Sequence, residues 1–447
     1  MSKGYTPGST SPASTLTLAK VTAAATLGTM VDYFDFFLAG FVAASVWPYI
    51  FFPPDQPVIA FALSVSAYAL TYFMRPIGAF VFGHLGDKRG RKKTLIWTLL
   101  TAGVGMAGIG LTPSFASIGY LAPALVTIFR LIFGLGIGGE WGGAMALVAE
   151  FAAKSKWRPF WMSWIQGGAP SGRLIAGVSI VAVASAMSNS SFLAYGWRAV
   201  FLVGAAVLVI AVVMRYKIHE SPLFDELAQR KAIDKSPAMN VLRTQWRKIL
   251  LLAGAINYNL IIGGLMLLPY SLQYAVALAN IRHVPSITAT AVSLAISIGA
   301  LVDWGTQILG GMVGSIIGRR KTFLISTTLT VPAILLYFPL FNTLDIAYIF
   351  IAASLLQGIY GLGYGCVGAF LNEHFETRYR YSGGGLCYQT ASLMGGVLIG
   401  ILLPLVIIAA PDITSQWPYV AALSVACCIV SIICLLFTKE TQEIELK

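Results

Sequence analysis

The sequence predicts an all-α polytopic membrane protein of twelve spanning helices, built as two six-helix bundles related by a pseudo-two-fold axis. Three observations carry this expectation: a composition too apolar for a water-soluble core, twelve apolar segments of spanning length, and motifs that recur after half the chain. Of 447 residues, 57% are hydrophobic and 11% charged, with a mean hydropathy of +0.77, whereas a soluble domain carries about 25% charged residues. A bilayer is the matching solvent, because a spanning helix needs about 20 mostly apolar residues. A β-barrel would alternate polar and apolar residues, while these segments run continuously apolar, and in lipid a helix satisfies its backbone internally.

In chain order, residues 1–19 read as a polar Ser/Thr/Pro tail lacking the charged and apolar regions of a cleaved signal. Six apolar segments follow: Val21–Trp47, Val58–Leu85, Thr94–Leu111, Gly119–Ala146, Phe160–Ser185 and Ala199–Val213. The longest polar stretch, 216–248, reads as a linker between a first bundle (20–215) and a second (249–437). The second holds Ile249–Ala275, Ile287–Ile317, Thr322–Phe341, Ala347–Leu371, Ser382–Ala409 and Pro418–Leu436, before a short polar tail, 438–447.

Charge sets the expected orientation. Of the 30 Lys and Arg, only Arg198 and Arg282 fall in one set of loops and only Arg75, Arg130 and Arg173 fall inside helices. All the others lie in the tails and loops of the opposite face, which the positive-inside rule places in the cytoplasm with both termini. The plasma membrane is the expected location. The formal charge of +12 is thereby an orientation signal and a contact for anionic lipid, with no nucleic-acid partner implied. The five cysteines lie in apolar stretches without metal spacing, and the four histidines are scattered over loops. No metal, cofactor or enzyme site is expected from either pattern.

The halves echo each other. Gly83-His-Leu-Gly-Asp87-Lys-Arg89-Gly90-Arg91-Lys92, between helices 2 and 3, returns 228 residues later as Gly311-Met-Val-Gly-Ser315-Ile-Ile-Gly318-Arg319-Arg320. Arg130-Leu-Ile-Phe-Gly134-Leu-Gly136-Ile-Gly138 of helix 4 returns as Gln357-Gly-Ile-Tyr-Gly361-Leu-Gly363-Tyr-Gly365 of helix 10, and Glu150 as Glu373. Duplicated bundles with the substrate site at the midplane between them are a transporter plan. The glycines of helix 4 lie inside a spanning helix, so they form packing surfaces and no phosphate-binding loop.

On these residues the chain resembles the major facilitator superfamily. Val31-Asp32-Tyr-Phe-Asp35-Phe-Phe, Met74-Arg75-Pro76-Ile-Gly78, the Arg130 to Gly143 run, Glu220-Ser221-Pro222 and Thr377-Arg378-Tyr-Arg380-Tyr-Ser-Gly are similar to its metabolite:proton symporter branch. The resemblance implies symport of a small organic carboxylate with protons by alternating access. A neutral or zwitterionic solute is the alternative, carried by symport or uniport. It also implies that helices 1, 4, 7 and 10 line the cavity, with 2, 5, 8 and 11 at the seam. Two departures stand out: Ser315 replaces the second loop's usual acid, and Arg173 and Asp303 stand where uncharged residues are expected.

Charges inside helices are costly and persist facing a cavity or a partner. Asp32 and Asp35 lie one turn apart near mid-membrane, with Arg130 at comparable depth on helix 4. In similar sugar porters an acid at the position of Asp35 pairs with an arginine at that of Arg130. Asp35 is the expected proton site, with Asp32 and Asp303 as alternatives, against a static ion pair. Arg173 follows Gln166 by two turns, so both point one way. In similar sugar porters these positions line the substrate site. Arg173 either grips a substrate carboxylate or tethers the halves by pairing with Asp303. Arg75 is a second anchor or a partner for Asp32. Asn257, Tyr258, Tyr388 and Gln389 are either ligand contacts or interhelical hydrogen bonds, and Glu140 is expected to be structural.

A gate is expected on the basic face. Gly83 and Gly90 allow tight turns, Asp87 can cap a helix N-terminus across the seam, and Arg89 and Arg91 can pair with Glu150. In the second half Arg319, Arg320 and Glu373 are expected to do the same without the Asp. With both bundles in one chain, a monomer is expected.

Overall fold

The computed structural model describes residues 14–446 except 54, 56, 264–269, 398–404, 406–409 and 411. Residues 1–13 of the N-terminal tail, Lys447 and parts of predicted helices 7 and 11 therefore lie outside the described residues. No strand occurs among the described residues, and ten of their helices are long and apolar enough to cross a membrane.

The spanning helices of the first bundle are α1 (Thr15–Ser45), α2 (Pro57–Arg89), α3 (Arg91–Leu111), α4 (Leu121–Phe151), α5 (Arg158–Gln166 continuing as Gly168–Ser185) and α6 (Trp197–Tyr216). Those of the second are α7 (Pro237–Ile261, its outer part Ser271–Ile281), α8 (Ala289–Ile317), α9 (Arg319–Phe341), α10 (Ile346–Tyr364 with Val367–Glu373), α11 (Arg380–Val397) and α12 (Gln416–Leu436).

Three expected boundaries move, as helix forms within sequence read as polar tail or linker. Helix α1 starts at Thr15, inside the expected tail, because the Ser14 side chain accepts the Thr17 amide. The expected linker holds a short helix, Pro222–Gln229, capped by Ser221 with Pro at its first turn. Helix α7 begins at Pro237, with a kink at Gln245 (φ −125°) marking where the linker portion meets the span.

Within each bundle glycine permits backbone contact at equivalent crossings. A Cβ on Gly78 of α2 would stand 2.1 Å from the Leu135 carbonyl oxygen, and one on Gly138 of α4 2.1 Å from that of Arg75. The second bundle repeats this between α8 and α10, at Gly310 against Leu362 (2.0 Å) and Gly365 against Gln307 (1.9 Å). Small residues give membrane helices this close approach. Across the seam α2 and α4 pack on α11, and α5 packs on α8. The pairs that form the seam thus agree with the expected 2, 5, 8 and 11.

Candidate functional site

At the basic face two matching clusters join the bundles. Arg91 donates to Glu150 through Nε (3.1 Å) and Nη2 (3.0 Å), and Arg380 of α11 reaches the same carboxylate across the seam at 3.1 Å. In the second cluster Arg319 donates to Glu373 through Nε (3.0 Å) and Nη2 (2.9 Å), and Arg158 of α5 crosses at 2.8 Å. The hydroxyls of Ser221 and Thr441 complete the two carboxylates.

Gly90 and Gly318 have φ of +107° and +104°, turns that suit glycine. A carboxylate caps the helix after each turn: Glu220 accepts the amides of Arg91 and Lys92, and Glu440 those of Arg319 and Arg320. Thus the expected C-terminal tail is folded onto the second bundle.

Asp87 stands at a helix N-terminus across the seam. It accepts the Tyr381 amide at 3.2 Å and the Ser382 amide at 2.9 Å, the first turn of α11, with Gly83 pressed against Ser382. An acid at a helix N-terminus is stabilised by the exposed amides. The second half lacks this latch for two reasons. The Ser315 hydroxyl turns back to the Gly311 carbonyl, and Pro159, the counterpart of Tyr381, has no amide hydrogen to give.

Two expected gate residues stand apart from these clusters. Arg89 is exposed on the far side of the Gly90 turn. Arg320 donates to the Leu435 and Leu436 carbonyls at the end of α12, a cation at a helix C-terminus.

Between the bundles lies a cavity lined by Tyr33, Arg75, Arg173, Asn259, Asp303 and Tyr360 among others. Arg75 and Asp303 each lie 14 residues from the basic end of their helix, about 21 Å at 1.5 Å per residue. Arg75 Nη2 donates to Asp32 (3.0 Å), and Arg173 Nη2 donates to Asp303 (3.3 Å) and to Gln357. Asp303 also accepts from Tyr360 (2.7 Å) and Gln307 (2.7 Å). One turn from Asp32 and behind the cavity wall, Arg130 Nη1 donates to Asp35 (2.7 Å) and its Nε to Thr71 (3.1 Å). Asp35 Oδ1 is buried without a partner among the described residues.

The floor of the cavity, toward the basic face, is a ring of three hydroxyls from both bundles. Tyr33 meets Tyr364 (2.7 Å) and Tyr388 (2.5 Å), which meet each other (2.5 Å). Trp141 stacks on Tyr388 at 3.8 Å, and its indole donates to Gln166 (2.6 Å).

Of the expected substrate contacts, Arg75, Arg173 and Tyr388 line the cavity. Gln166 lies behind Trp141, Gln389 donates to the Gly138 carbonyl, and Tyr258 is buried against Ser326 and Ser431. Asn257 is buried away from the lining, and its neighbour by two, Asn259, reaches the cavity instead. A polar triplet in an apolar helix shows that one face is special without showing which residue occupies it. Glu140 lies in a buried ion pair: Arg215 grips it at 2.7 and 2.5 Å, with Thr98 at 3.1 Å.

The sequence reading counted Arg158 and Arg215 as topology signals only, quoted Arg380 and Glu220 within family-like motifs without assigning them a contact, and gave Glu440 no role. The repeat held the missing signal, because Arg158 and Arg380 stand 222 residues apart and Glu220 and Glu440 stand 220 apart.

A twelve-helix plan with a charged cavity on the seam and a latched face defines a multi-pass membrane transporter. The family profile of the Major Facilitator Superfamily matches residues 25–279 and 260–447, and the chain belongs to that superfamily. It is 35% identical over 390 residues to the "Inner membrane metabolite transport protein YhjE" of Escherichia coli K12, covering 84% of this chain and 85% of that protein. The E. coli K12 "Shikimate transporter" is 30% identical over 425 residues, 93% of each chain. The "Proline/betaine transporter" of the same strain is 30% identical over 393 residues, 85% of this chain and 76% of the relative. Among solved structures, the proton:xylose symporter XylE bound to 6-bromo-6-deoxy-D-glucose superposes with a TM-score of 0.75 at 16% identity, covering 96% of this chain and 98% of the other. The chain is a multi-pass inner- or plasma-membrane transporter, and no catalytic activity is indicated.

Proposed function

We propose that this transporter moves a small organic carboxylate together with protons, by alternating access, as a monomer with its basic face and both termini in the cytoplasm. The observation that carries this reading is the pair of arginines, Arg75 and Arg173, lining one buried cavity on the seam. Both keep a buried Nε without a partner among the described residues. A guanidinium with spare donors suits a carboxylate, which it grips through two parallel bonds. Each guanidinium also lies over aromatic rings, Arg75 over Phe36 (5.8 Å) and Tyr72 (5.7 Å), and Arg173 over Phe37 (5.8 Å).

Asp35 carries the proton in this reading. Its Oδ2 holds Arg130 while its Oδ1 stands open to receive the proton when that partner is drawn away. Asp32, a turn away on Arg75, links that pair to the cavity wall. A zwitterionic solute is the second reading, favoured by the acid Asp303 in the lining.

Reconstituted protein tests the proposal. An imposed pH gradient should drive accumulation of a labelled carboxylate, screened from hydroxy acids, dicarboxylates and shikimate. Asp35→Asn should abolish that accumulation and leave counterflow intact. Unchanged gradient-driven accumulation in the variant refutes the coupling role.

A further inference from the structure

We propose that Asp303 is a resident stand-in for the substrate's carboxylate on Arg173, and that it sets specificity by keeping small anions off that arginine. The proposal rests on the carboxylate reading above for its biological meaning, while its geometry stands alone.

The buried ion pairs of this protein fall into two styles. Arg215 on Glu140, Arg91 on Glu150 and Arg319 on Glu373 each use two guanidinium nitrogens. Such forked contacts are the strong and permanent kind. Arg173 meets Asp303 through one nitrogen at 3.3 Å, shares that nitrogen with Gln357, and leaves Nε buried without a partner among the described residues. The carboxylate's hold on this arginine is thus one long contact, open to exchange.

Asp303, for its part, has partners besides Arg173. Tyr360 and Gln307 each donate to it at 2.7 Å, and both belong to its own bundle. When the arginine leaves, the carboxylate keeps two hydrogen bonds, which lower the cost of leaving it buried. The hydrogen-bond partners of Arg173 among the described residues, Asp303 and Gln357, both belong to the opposite bundle. Separation of the bundles at this level strips it of both. An uncompensated cation in a low-dielectric cavity is strongly unfavourable, so the tie yields readily only when another anion takes Asp303's place.

The repeat explains why the tie crosses the seam. Asp303 stands 228 residues after Arg75, and Gln357 stands 227 after Arg130, the same offsets that relate the loops and helices of the two halves. In the first bundle those two positions carry cations that face acids on α1. In the second they carry an acid and an amide, and they draw their cation from α5 of the other bundle.

A carboxylate fixed inside the cavity outcompetes a free one at ordinary concentration, because it acts intramolecularly. Bare small anions such as acetate and chloride are thereby excluded. A substrate displaces Asp303 only if further groups gain contacts on the same walls, where Arg75 Nε and Asn259 Oδ1 are also buried without partners among the described residues.

Thermal-shift titration of the purified full chain with sodium acetate, against sodium chloride at equal ionic strength, tests this without knowledge of the substrate. Wild type should show no acetate-specific rise in Tm. Asp303→Asn, which keeps an oxygen for Tyr360 or Gln307, should show a saturable rise, with an apparent acetate affinity roughly tenfold or more above wild type. The double variant Arg173→Gln/Asp303→Asn should lose it. Asp303→Ser serves as a second opening of the site should the Asn variant not fold. The proposal is overturned if a folded Asp303 variant shows no acetate-specific rise, or if the double variant shows the same rise. It is also overturned if neither single variant folds while the double variant does, the mark of a permanent tether. Acetate binding is read without transport, so a failure of proton coupling at Asp35 leaves this result standing, and the reverse.

Discussion

Replacing Asp87 by Asn should loosen the basic face by a calculable amount. Asp87 accepts two amides of the first turn of α11, at 3.2 and 2.9 Å, and lies 3.2 Å from Arg91. Asn keeps one acceptor oxygen, presents an NH2 where the other stood, and removes the charge. Hydrogen bonds to a charged group contribute about 1.5–3 kcal/mol each and neutral ones about 0.5–1.5. The interaction with a helix N-terminus adds about 0.3–1 kcal/mol. With Arg91 still held by Glu150, the net loss from the joined state is about 2 kcal/mol. At 1.4 kcal/mol per decade that is a factor of about 30 in the balance between joined and parted faces. A joined state favoured 99:1 would fall to about 3:1. Spin labels at Arg89 and Arg378, exposed residues of opposite bundles, would report the change as a second, longer distance in a background without the five native cysteines. A single unchanged distance distribution in a folded Asp87→Asn protein refutes the assignment of Asp87 as an interbundle latch.

Other outcomes follow from the same geometry. Arg215→Ala leaves Glu140 buried and uncompensated, so stability should fall by about 3–5 kcal/mol; Tm should recover in Arg215→Met/Glu140→Leu, which removes both charges. Gly138→Ala places a methyl against the Arg75 carbonyl oxygen and should cost about 1–3 kcal/mol through strain, read as a lower Tm. Glu440→Ala removes the cap of α9 and should cost about 0.5–2 kcal/mol in the same assay. Tyr388→Phe opens the hydroxyl ring while preserving the stack on Trp141, so the folded protein should keep its stability within about 1 kcal/mol of wild type and expose the cavity to labels added from the basic side.

The fold was legible because lipid simplifies the code. Apolar runs, the placement of Lys and Arg and the repeat each report on the membrane, and none depends on side-chain geometry. Individual ion pairs were legible where an acid and a cation had few rivals at the same depth, as with Asp35 and Arg130, Asp32 and Arg75, and Arg173 and Asp303. Where cations were plentiful the partner was not readable. Glu150 had Arg89, Arg91 and Arg380 within reach, and only the phase of the turn at Gly90 excludes the first. The tyrosine ring was hidden for another reason. Tyr33, Tyr364 and Tyr388 are ordinary aromatic residues of three helices, and their meeting at one point depends on tertiary packing that no local pattern encodes.

The departures from symmetry show how the two faces are made unequal. A duplicated chain with identical halves would carry two latches, one through each loop, and both would have to break at once. Here the first loop keeps its acid and finds two amides on α11, whereas the second has Ser315 and faces Pro159, which has no amide hydrogen. The arginine–glutamate clusters remain symmetric, with Arg380 crossing to Glu150 and Arg158 to Glu373. Two sets of bonds on the α11 side therefore have no counterpart on the other among the described residues, the amides on Asp87 and the Arg91 bond to the Thr377 carbonyl, and at this face they make α2 and α11 the firmer contact and α5 and α8 the weaker one. Arg173 and Asp303 sit on that weaker pair, in the middle of the membrane. Under the proposal for Asp303, a substrate that replaces it acts on the helix pair that lacks the Asp87 contacts, opposite the pair that has them.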